Sequence, residues 1–240
     1  MTWIRFVCRC WAGLLAVLFL ACAAPPAVDS ATLFQAASIS KPVAATAMLR
    51  MVEDGLLGLD TPVETYLSSW TLPPGRQSPE RPVTLRLIAS HGAGFTVHGF
   101  PGYNAATAHD GAGRAISGRW HTYPEQAAAG LWTTPTDLMR WALEIASARE
   151  GRSAFLSPEL ARAMLTPQME SHGIGPGLGG EGSAFFFGHG GSNQGFKARV
   201  IYYPEAGQGA AVMTNGDRGA GLANEILDAL AEVYGWPETG

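Results

Sequence analysis

Three strand-like runs near the C-terminus constrain the fold of this chain most strongly. They cover Ala184 to His189, Lys197 to Tyr203 and Gly209 to Asn215, and each is dominated by apolar, aromatic or β-branched residues. The links between them, residues 190–194 and 204–208, are short enough for hairpins, whereas parallel strands need a crossover of a dozen or more residues. The runs therefore predict a small antiparallel sheet of about three strands.

Most of the other periodic segments predict helices, because apolar residues recur at helical spacing between start and stop signals. The predicted helices cover residues 38–53, 134–148, 157–165 and 221–234. Residues 84–89 are either a short helix or extended, and residues 92–118, rich in Gly, Ala and His without a clear period, are expected to form a loop. Helices followed by a small antiparallel sheet and a closing helix indicate the α+β class.

The N-terminus has the composition of an export signal. Arg5 and Arg9 precede an apolar run from Trp11 to Leu20, and small residues follow. We expect residues 1–24 to be a signal peptide or lipoprotein signal, and residues 25–240 to form one domain in the periplasm or cell envelope. A single uncleaved membrane anchor is the alternative, because the apolar segment approaches the roughly 20 residues that span a bilayer.

All three cysteines, Cys8, Cys10 and Cys22, lie in this N-terminal segment. The residues Phe19 to Cys22 resemble the lipobox of bacterial lipoproteins, in which the Cys is acylated, although Phe19 replaces the usual Leu. Lipid anchoring to the membrane at Cys22 and ordinary cleavage nearby therefore remain alternatives. Without this segment the domain would have no disulfide and no thiol chemistry.

Charge and histidine spacing argue against two classes of ligand. Removing Arg5 and Arg9 changes the formal net charge from −4 to −6, and no cluster of Lys or Arg remains that could bind nucleic acid. The six histidines follow neither the H-x-H-x-D nor the H-E-x-x-H spacing of zinc sites. We expect no nucleic acid partner, no metal and no other cofactor, and we expect a monomer.

Ser38-Ile39-Ser40-Lys41 places a serine and a lysine three residues apart at a predicted helix start. Side chains at this spacing share a helix face about 5–6 Å apart, so the Lys41 ammonium can reach the Ser38 hydroxyl. A lysine acts as a base only when burial or a nearby cation lowers its pKa. A helix-capping serine followed by a surface lysine is the alternative interpretation.

The chain contains four blocks in a fixed order, Thr32 to Asp60, Leu87 to Gly94, Ala128 to Asp137 and Gly188 to Asn215. Together these blocks resemble the serine β-lactamase-like family, which includes class C β-lactamases, D-alanyl-D-alanine carboxypeptidases and related esterases. The resemblance implies a reduced version of that α+β fold and a small-molecule or peptidoglycan-derived substrate with an amide or ester bond.

The resemblance also implies roles for individual residues. In that family the first Ser of S-x-x-K forms an acyl-enzyme while the Lys helps to move the proton, which implies Ser38 as nucleophile and Lys41 as base. His189-Gly190-Gly191 matches the His form of the third family motif, which implies a catalytic His189 and a substrate lying along Gly190 and Gly191. The oxyanion would be bound by the N–H groups of Ser38 and Ser192. An exposed His in a hairpin turn is the alternative for His189.

Two parts of the family pattern are missing from the sequence. The second motif, Tyr-x-Asn or Ser-x-Asn, passes a proton to the leaving group, but none of the four asparagines has a Tyr or Ser two residues before it. The middle region is short, as if removed near Tyr103-Asn104, and Tyr103 is a candidate substitute. Between Cys22 and Leu33 there is no room for the family's two N-terminal strands, which predicts an uncovered sheet edge. An inactive envelope binding protein or a degenerate gene product is therefore the alternative to an active hydrolase.

Overall fold

A computed structural model of the chain describes residues 28–68, 71–72, 78, 82–90, 105–121, 123 and 126–237. The predicted signal with Cys22, and also His91, His98 and Tyr103, lie outside the described residues. No helix in the described part of the chain is long and apolar enough to cross a membrane.

The centre of the fold is a four-stranded antiparallel sheet. In chain order the strands are β1 (Phe34–Gln35), β2 (Trp132–Thr133), β3 (Gly177–Gly179), β4 (Phe186–Asn193), β5 (Phe196–Tyr203) and β6 (Gln208–Thr214). The last four are hydrogen-bonded in the order β3-β4-β5-β6, and β1 pairs with β2 in a separate two-stranded sheet. The predicted α+β class is confirmed.

The helices begin and end close to their sequence signals. They are α1 (Ser40–Glu53), α2 (Leu85–Ala89), α3 (Gln126–Ala129), α4 (Pro135–Arg149), α5 (Pro158–Met164) and α6 (Gly219–Tyr234). A 3₁₀-helix, Ala37–Ile39, leads directly into α1. The Thr134 hydroxyl accepts the Asp137 N–H at the start of α4, and the Ser157 hydroxyl accepts the Leu160 N–H at the start of α5. The four predicted long helices are therefore confirmed.

The sheet lies between two layers of helices. Side chains alternate along a strand, so each strand has one set facing each layer. On one face Phe187 and Tyr202 pack with residues of α1, α4 and α5, among them Leu49, Ile145 and Met164, in the main apolar cluster. On the other face α6 covers β5 and β6.

Two predictions about the sheet are wrong. The expected link at residues 190–194 is mostly strand: β4 continues to Asn193, and only Gln194 and Gly195, with Gly195 at φ +76°, form the turn. The sheet also has a fourth strand, because Gly177–Gly179, in a glycine-rich segment where no strand was predicted, pairs with Phe186–Gly188 of β4. Both segments are rich in glycine, which has low strand propensity, yet the sheet is built from backbone hydrogen bonds that glycine can also make.

Candidate active site

Ser38 and Lys41 meet at the junction between the 3₁₀-helix and α1. The Lys41 Nζ lies 2.8 Å from the Ser38 Oγ, and both residues are half-buried. The same ammonium donates to the carbonyl oxygen of Ala128 at 3.3 Å, which brings α3 to the site. The structure thus makes the contact that the S-x-x-K spacing predicts, although the roles of the two residues stay predictions.

The turn that carries Ser38 is held by buried polar contacts. Ala37 has a φ of +49°, the left-handed region that is uncommon for a residue other than glycine. The buried Ser40 hydroxyl donates to the Ala37 carbonyl at 2.6 Å and accepts the Leu131 N–H at 3.0 Å. The Ala36 N–H donates to the Leu131 carbonyl at 2.9 Å. The segment just before β2 therefore fixes the backbone on both sides of Ser38.

The edge of β4 lies directly against this turn. β3 pairs with β4 only up to Gly188, and beyond that point β4 contacts the 3₁₀-helix. A Cβ atom on Gly191 would overlap the Ala36 carbonyl oxygen and lie 3.3 Å from the Ala37 Cβ. Glycine at this position is therefore required for the close approach of the strand to the Ser38 turn.

The other residues of the predicted third motif lie on the same strand. Alternation places His189 on the face of β4 that carries Gly191, and Gly190 and Ser192 on the opposite face. The His189 Nδ1 is 2.6 Å from the Gly190 carbonyl oxygen; since a carbonyl only accepts, this contact assigns the proton to Nδ1. Ser192 is exposed, and Gly190 faces the side chain of Arg199.

A buried amide pair, Gln35 and Asn193, lies next to the site and was not predicted from the sequence. The Asn193 Nδ2 donates to the Gln35 Oε1 at 2.6 Å and to the Ala129 carbonyl at 3.3 Å. The Gln35 Nε2 donates to the His121 carbonyl at 2.9 Å. Gln35, Ser40 and Asn193 are all buried. The only local signal was a polar residue within an otherwise apolar or glycine-rich run.

The second lysine of the chain, Lys197, lies on β5 close to the turn between β4 and β5. The Lys197 Nζ donates to the Asp217 carboxylate at 2.8 Å and to the Asn193 carbonyl at 2.9 Å. The Gly195 N–H also donates to Asp217. The hydrogen bond from Lys197, followed by that from Gly195, holds the pKa of Asp217 below its ordinary value. This group fastens the β4–β5 turn to the segment that follows β6.

The described residues contain no group of three or more His, Cys, Asp and Glu side chains that could hold a metal ion. The four described histidines are dispersed. His189 lies on β4 beside the Ser38 turn, whereas the His109 Nδ1 contacts the Asn215 carbonyl at 3.1 Å, beyond the end of β6. The absence of a metal from the site stays a prediction.

Solved structures with the same fold are similar to this chain at low identity. A structure of SurE is 19% identical with a TM-score of 0.60, over 85% of this chain and 64% of that one. The octameric penicillin-binding protein homologue from Pyrococcus abyssi is 18% identical with a TM-score of 0.64, over 86% and 67%. The D-amino acid amidase from Ochrobactrum anthropi SV3 is 16% identical with a TM-score of 0.60, over 86% of both chains.

These likenesses concern the fold, and the chain spans less than two thirds of the length of the SurE structure. No curated protein matches the chain. A family model described as Beta-lactamase matches residues 17–107 and 96–234, two segments that together cover most of the sequence. The chain therefore belongs to the Beta-lactamase family, the serine β-lactamase-like family that its four sequence blocks resemble.

Proposed function

We propose that this chain is a serine hydrolase that cleaves an amide or ester bond through an acyl-enzyme on Ser38. The observation that carries the proposal is the 2.8 Å contact between the Lys41 Nζ and the Ser38 Oγ, beside the part of β4 that extends beyond β3. The Beta-lactamase family match supports the same reaction class.

The reaction follows from the chemistry of these groups. The Ser38 Oγ attacks the carbonyl carbon of the substrate, and its proton passes to a neutral Lys41 amine. The N–H groups of Ser38 and Ser192 donate to the oxyanion of the tetrahedral intermediate. The C–N or C–O bond then breaks, the leaving group takes up the proton that Lys41 holds, and the Ser38 ester remains. Water attacks this ester, which releases the acid and restores the Ser38 hydroxyl.

A second candidate, a family member without turnover, is favoured by a specific contact. The Lys41 ammonium donates a hydrogen bond to the Ala128 carbonyl. A backbone carbonyl can accept this hydrogen bond but cannot pass a proton on to a leaving group. The sequence has no Tyr-x-Asn motif. The two segments of the family match overlap at residues 96–107, and the family's middle region is expected to be missing there. Such a protein would bind an envelope ligand without cleaving it.

Covalent labelling separates the two candidates. We expect an ester-type acylating probe or a fluorescent penicillin to add one acyl group to the protein, which peptide mass spectrometry should locate on Ser38. Ser38→Ala should abolish the adduct, while the exposed Ser192→Ala, which keeps its backbone N–H, should retain it. A folded protein with a cooperative thermal melt and no adduct on Ser38 would contradict the proposal.

Lys41 gives a second test of the mechanism. Lys41→Met keeps the length of the side chain but removes the base, so acylation should slow by about 1,000-fold or more. Lys197→Met removes the other lysine, which contacts Asp217 instead of Ser38, and should leave the rate of labelling of the folded protein near that of the wild type. Equal loss in both variants would indicate a general effect on folding.

The substrate class is proposed at the level of the bond. Among the similar structures are a D-amino acid amidase and penicillin-binding protein homologues. We propose to compare simple esters, D-amino acid amides, β-lactams and peptidoglycan stem peptides at equal concentration. Hydrolysis of any of these by the wild type but not by Ser38→Ala would assign the substrate class.

We also propose export and processing of the chain at its N-terminus. The support is the sequence of residues 1–24, with its two arginines and apolar run. Intact-mass spectrometry of protein recovered from the envelope should show loss of the signal. A mass increase from acyl chains that disappears in Cys22→Ala would favour the lipoprotein, whereas normal processing of that variant would favour ordinary cleavage.

A further inference from the structure

The outer edge of β6 has no pairing partner among the described strands. β6 pairs with β5 along Gln208–Thr214, and β5 occupies only one of its two sides. The strand, QGAAVMT, contains no charge and no proline, and all seven residues are half-buried. In proteins that remain monomeric, an edge strand usually carries a lysine, a proline or a bulge that prevents pairing with a strand of another molecule. β6 has none of these within its seven residues.

α6 presents a second apolar stripe to solvent. Leu222, Ile226, Ala229 and Val233 follow a four-three-four spacing, which places them on one stripe about 60° wide. Leu222, Ile226 and Val233 are 53%, 37% and 75% exposed. The face of α6 that packs on the sheet is a different one, formed by Gly219, Ala223 and Leu227. An exposed stripe with this spacing is typical of a helix that packs against another helix.

The edge and the stripe form one continuous surface, the β6–α6 face. α6 runs antiparallel to β6, because Gly219 lies against the Thr214 side chain and the Gln208 Nε2 donates to the Tyr234 carbonyl at 2.9 Å. The stripe is rotated by about 90° from the buried face of α6. Given this strand order and the right-handed turn of the helix, the stripe points to the outer side of β6.

The edge of β6 and the stripe of α6 are centred at the same level along the strand, so a single two-fold axis can relate each of them to its copy in a second chain. The middle of β6 is Ala211. The contacts at the two ends of α6 place Ala211 opposite residues 226 and 227 of the helix. The stripe from Leu222 to Val233 is centred at almost the same place, at residues 227 and 228. One two-fold axis near Ala211 would therefore pair β6 with β6 and the stripe with the stripe, both antiparallel.

In contrast to the monomer expected from the sequence, we propose that the β6–α6 face binds a second copy of this chain, with the sheet continuing across a two-fold axis. The acidic residues Glu225, Asp228 and Glu232 lie on the outward face of α6, opposite the sheet, so the contact leaves them in water.

Charge on the stripe tests the proposal without disturbing the core. The full chain, produced in an exporting host, should have twice the mass of one chain in light scattering. Leu222→Glu with Val233→Glu should reduce this to the mass of one chain and leave the thermal melt cooperative. Leu56→Glu, at a position 65% exposed on the turn after α1, is the matched control and should keep the dimer.

Amide hydrogen exchange of the wild type gives a second measurement that needs no variant. Dilution from dimer to monomer should speed the exchange of the segment 208–214, whose alternate N–H groups point away from β5. A wild type that has the mass of one chain at every concentration overturns the proposal. If its segment 208–214 is nevertheless protected, another part of the chain, such as residues 1–27, covers the edge. The proposal is also overturned if the double variant folds and stays dimeric. It is likewise overturned if the wild type forms a larger assembly that the double variant still forms.

Discussion

The edge of β4 beyond the end of β3 and the outer edge of β6 are built differently. At β4 the edge beyond Gly188 is covered by the turn that carries Ser38, and Gly191 allows the two backbones to meet. At β6 the outer edge has no described strand beside it, and exposed apolar residues of α6 lie along it. The β4 edge thus lies at the candidate active site, and the β6 edge has the features that we propose for a contact between chains.

The difference shows which part of the family pattern this chain retains. The Ser38 turn, β4 and the segment before β2 are joined by buried contacts between residues far apart in sequence, such as Leu131 with Ser40. The β4 edge carries the candidate catalytic contact, whereas no described strand lies beside the outer edge of β6.

The largest effect should come from filling the close approach at the β4 edge. Gly191→Val places a branched side chain where a Cβ atom alone would overlap the Ala36 carbonyl oxygen. Since backbone atoms cannot move aside cheaply, we expect a loss of about 3 kcal/mol or more in the free energy of unfolding. Urea unfolding followed by circular dichroism measures it, and any acylation of Ser38 should be lost as well.

Gly190→Ala is the matched control for this substitution. A Cβ at residue 190 would lie 3.6 Å from the Arg199 guanidinium, an ordinary contact, so the free energy of unfolding should change by less than about 1 kcal/mol. Equal destabilisation by both variants would mean that glycine is needed for strand flexibility in general. The close approach at Gly191 would then not be the cause.

Sequence signals were sufficient where they act locally. The four predicted helices have apolar periodicity within a few turns, and two of them begin at capping residues, Thr134 and Ser157; the structure confirms all four. β3 and the second half of β4 were missed, because Gly177–Gly179 and Gly190–Gly191 lack the side chains on which strand patterns depend. The contacts of Ser40 and Asn193 were also missed, since their partners lie 91 and 158 residues away and leave no local pattern.

A smaller effect is expected from the buried support of the Ser38 turn. Ser40→Ala removes a hydroxyl that donates to the Ala37 carbonyl and accepts the Leu131 N–H, and it leaves both backbone groups buried without this partner. We expect a loss of about 1–3 kcal/mol in the free energy of unfolding. The exposed Ser192→Ala should change it by less than about 0.5 kcal/mol. If both variants are equally stable, Ser40 does not hold the turn.

The smallest effect is expected at the end of the hairpin that links β4, β5 and the segment after β6. Asp217→Asn weakens the contact with the Lys197 ammonium, which is partly buried, and should lower the free energy of unfolding by an amount on the order of 1 kcal/mol at neutral pH.

Because folding lowers the pKa of Asp217, its ionised form stabilises the folded state above the ordinary carboxyl value of 3.8. This contribution is lost as the pH falls through the lower folded pKa. The stability difference between wild type and variant should therefore be complete at pH 7 and shrink in strongly acidic solution, as measured by urea unfolding at both pH values. A difference for Asp217→Asn that stays constant down to strongly acidic pH would show that the asparagine disturbs packing instead of removing a charge.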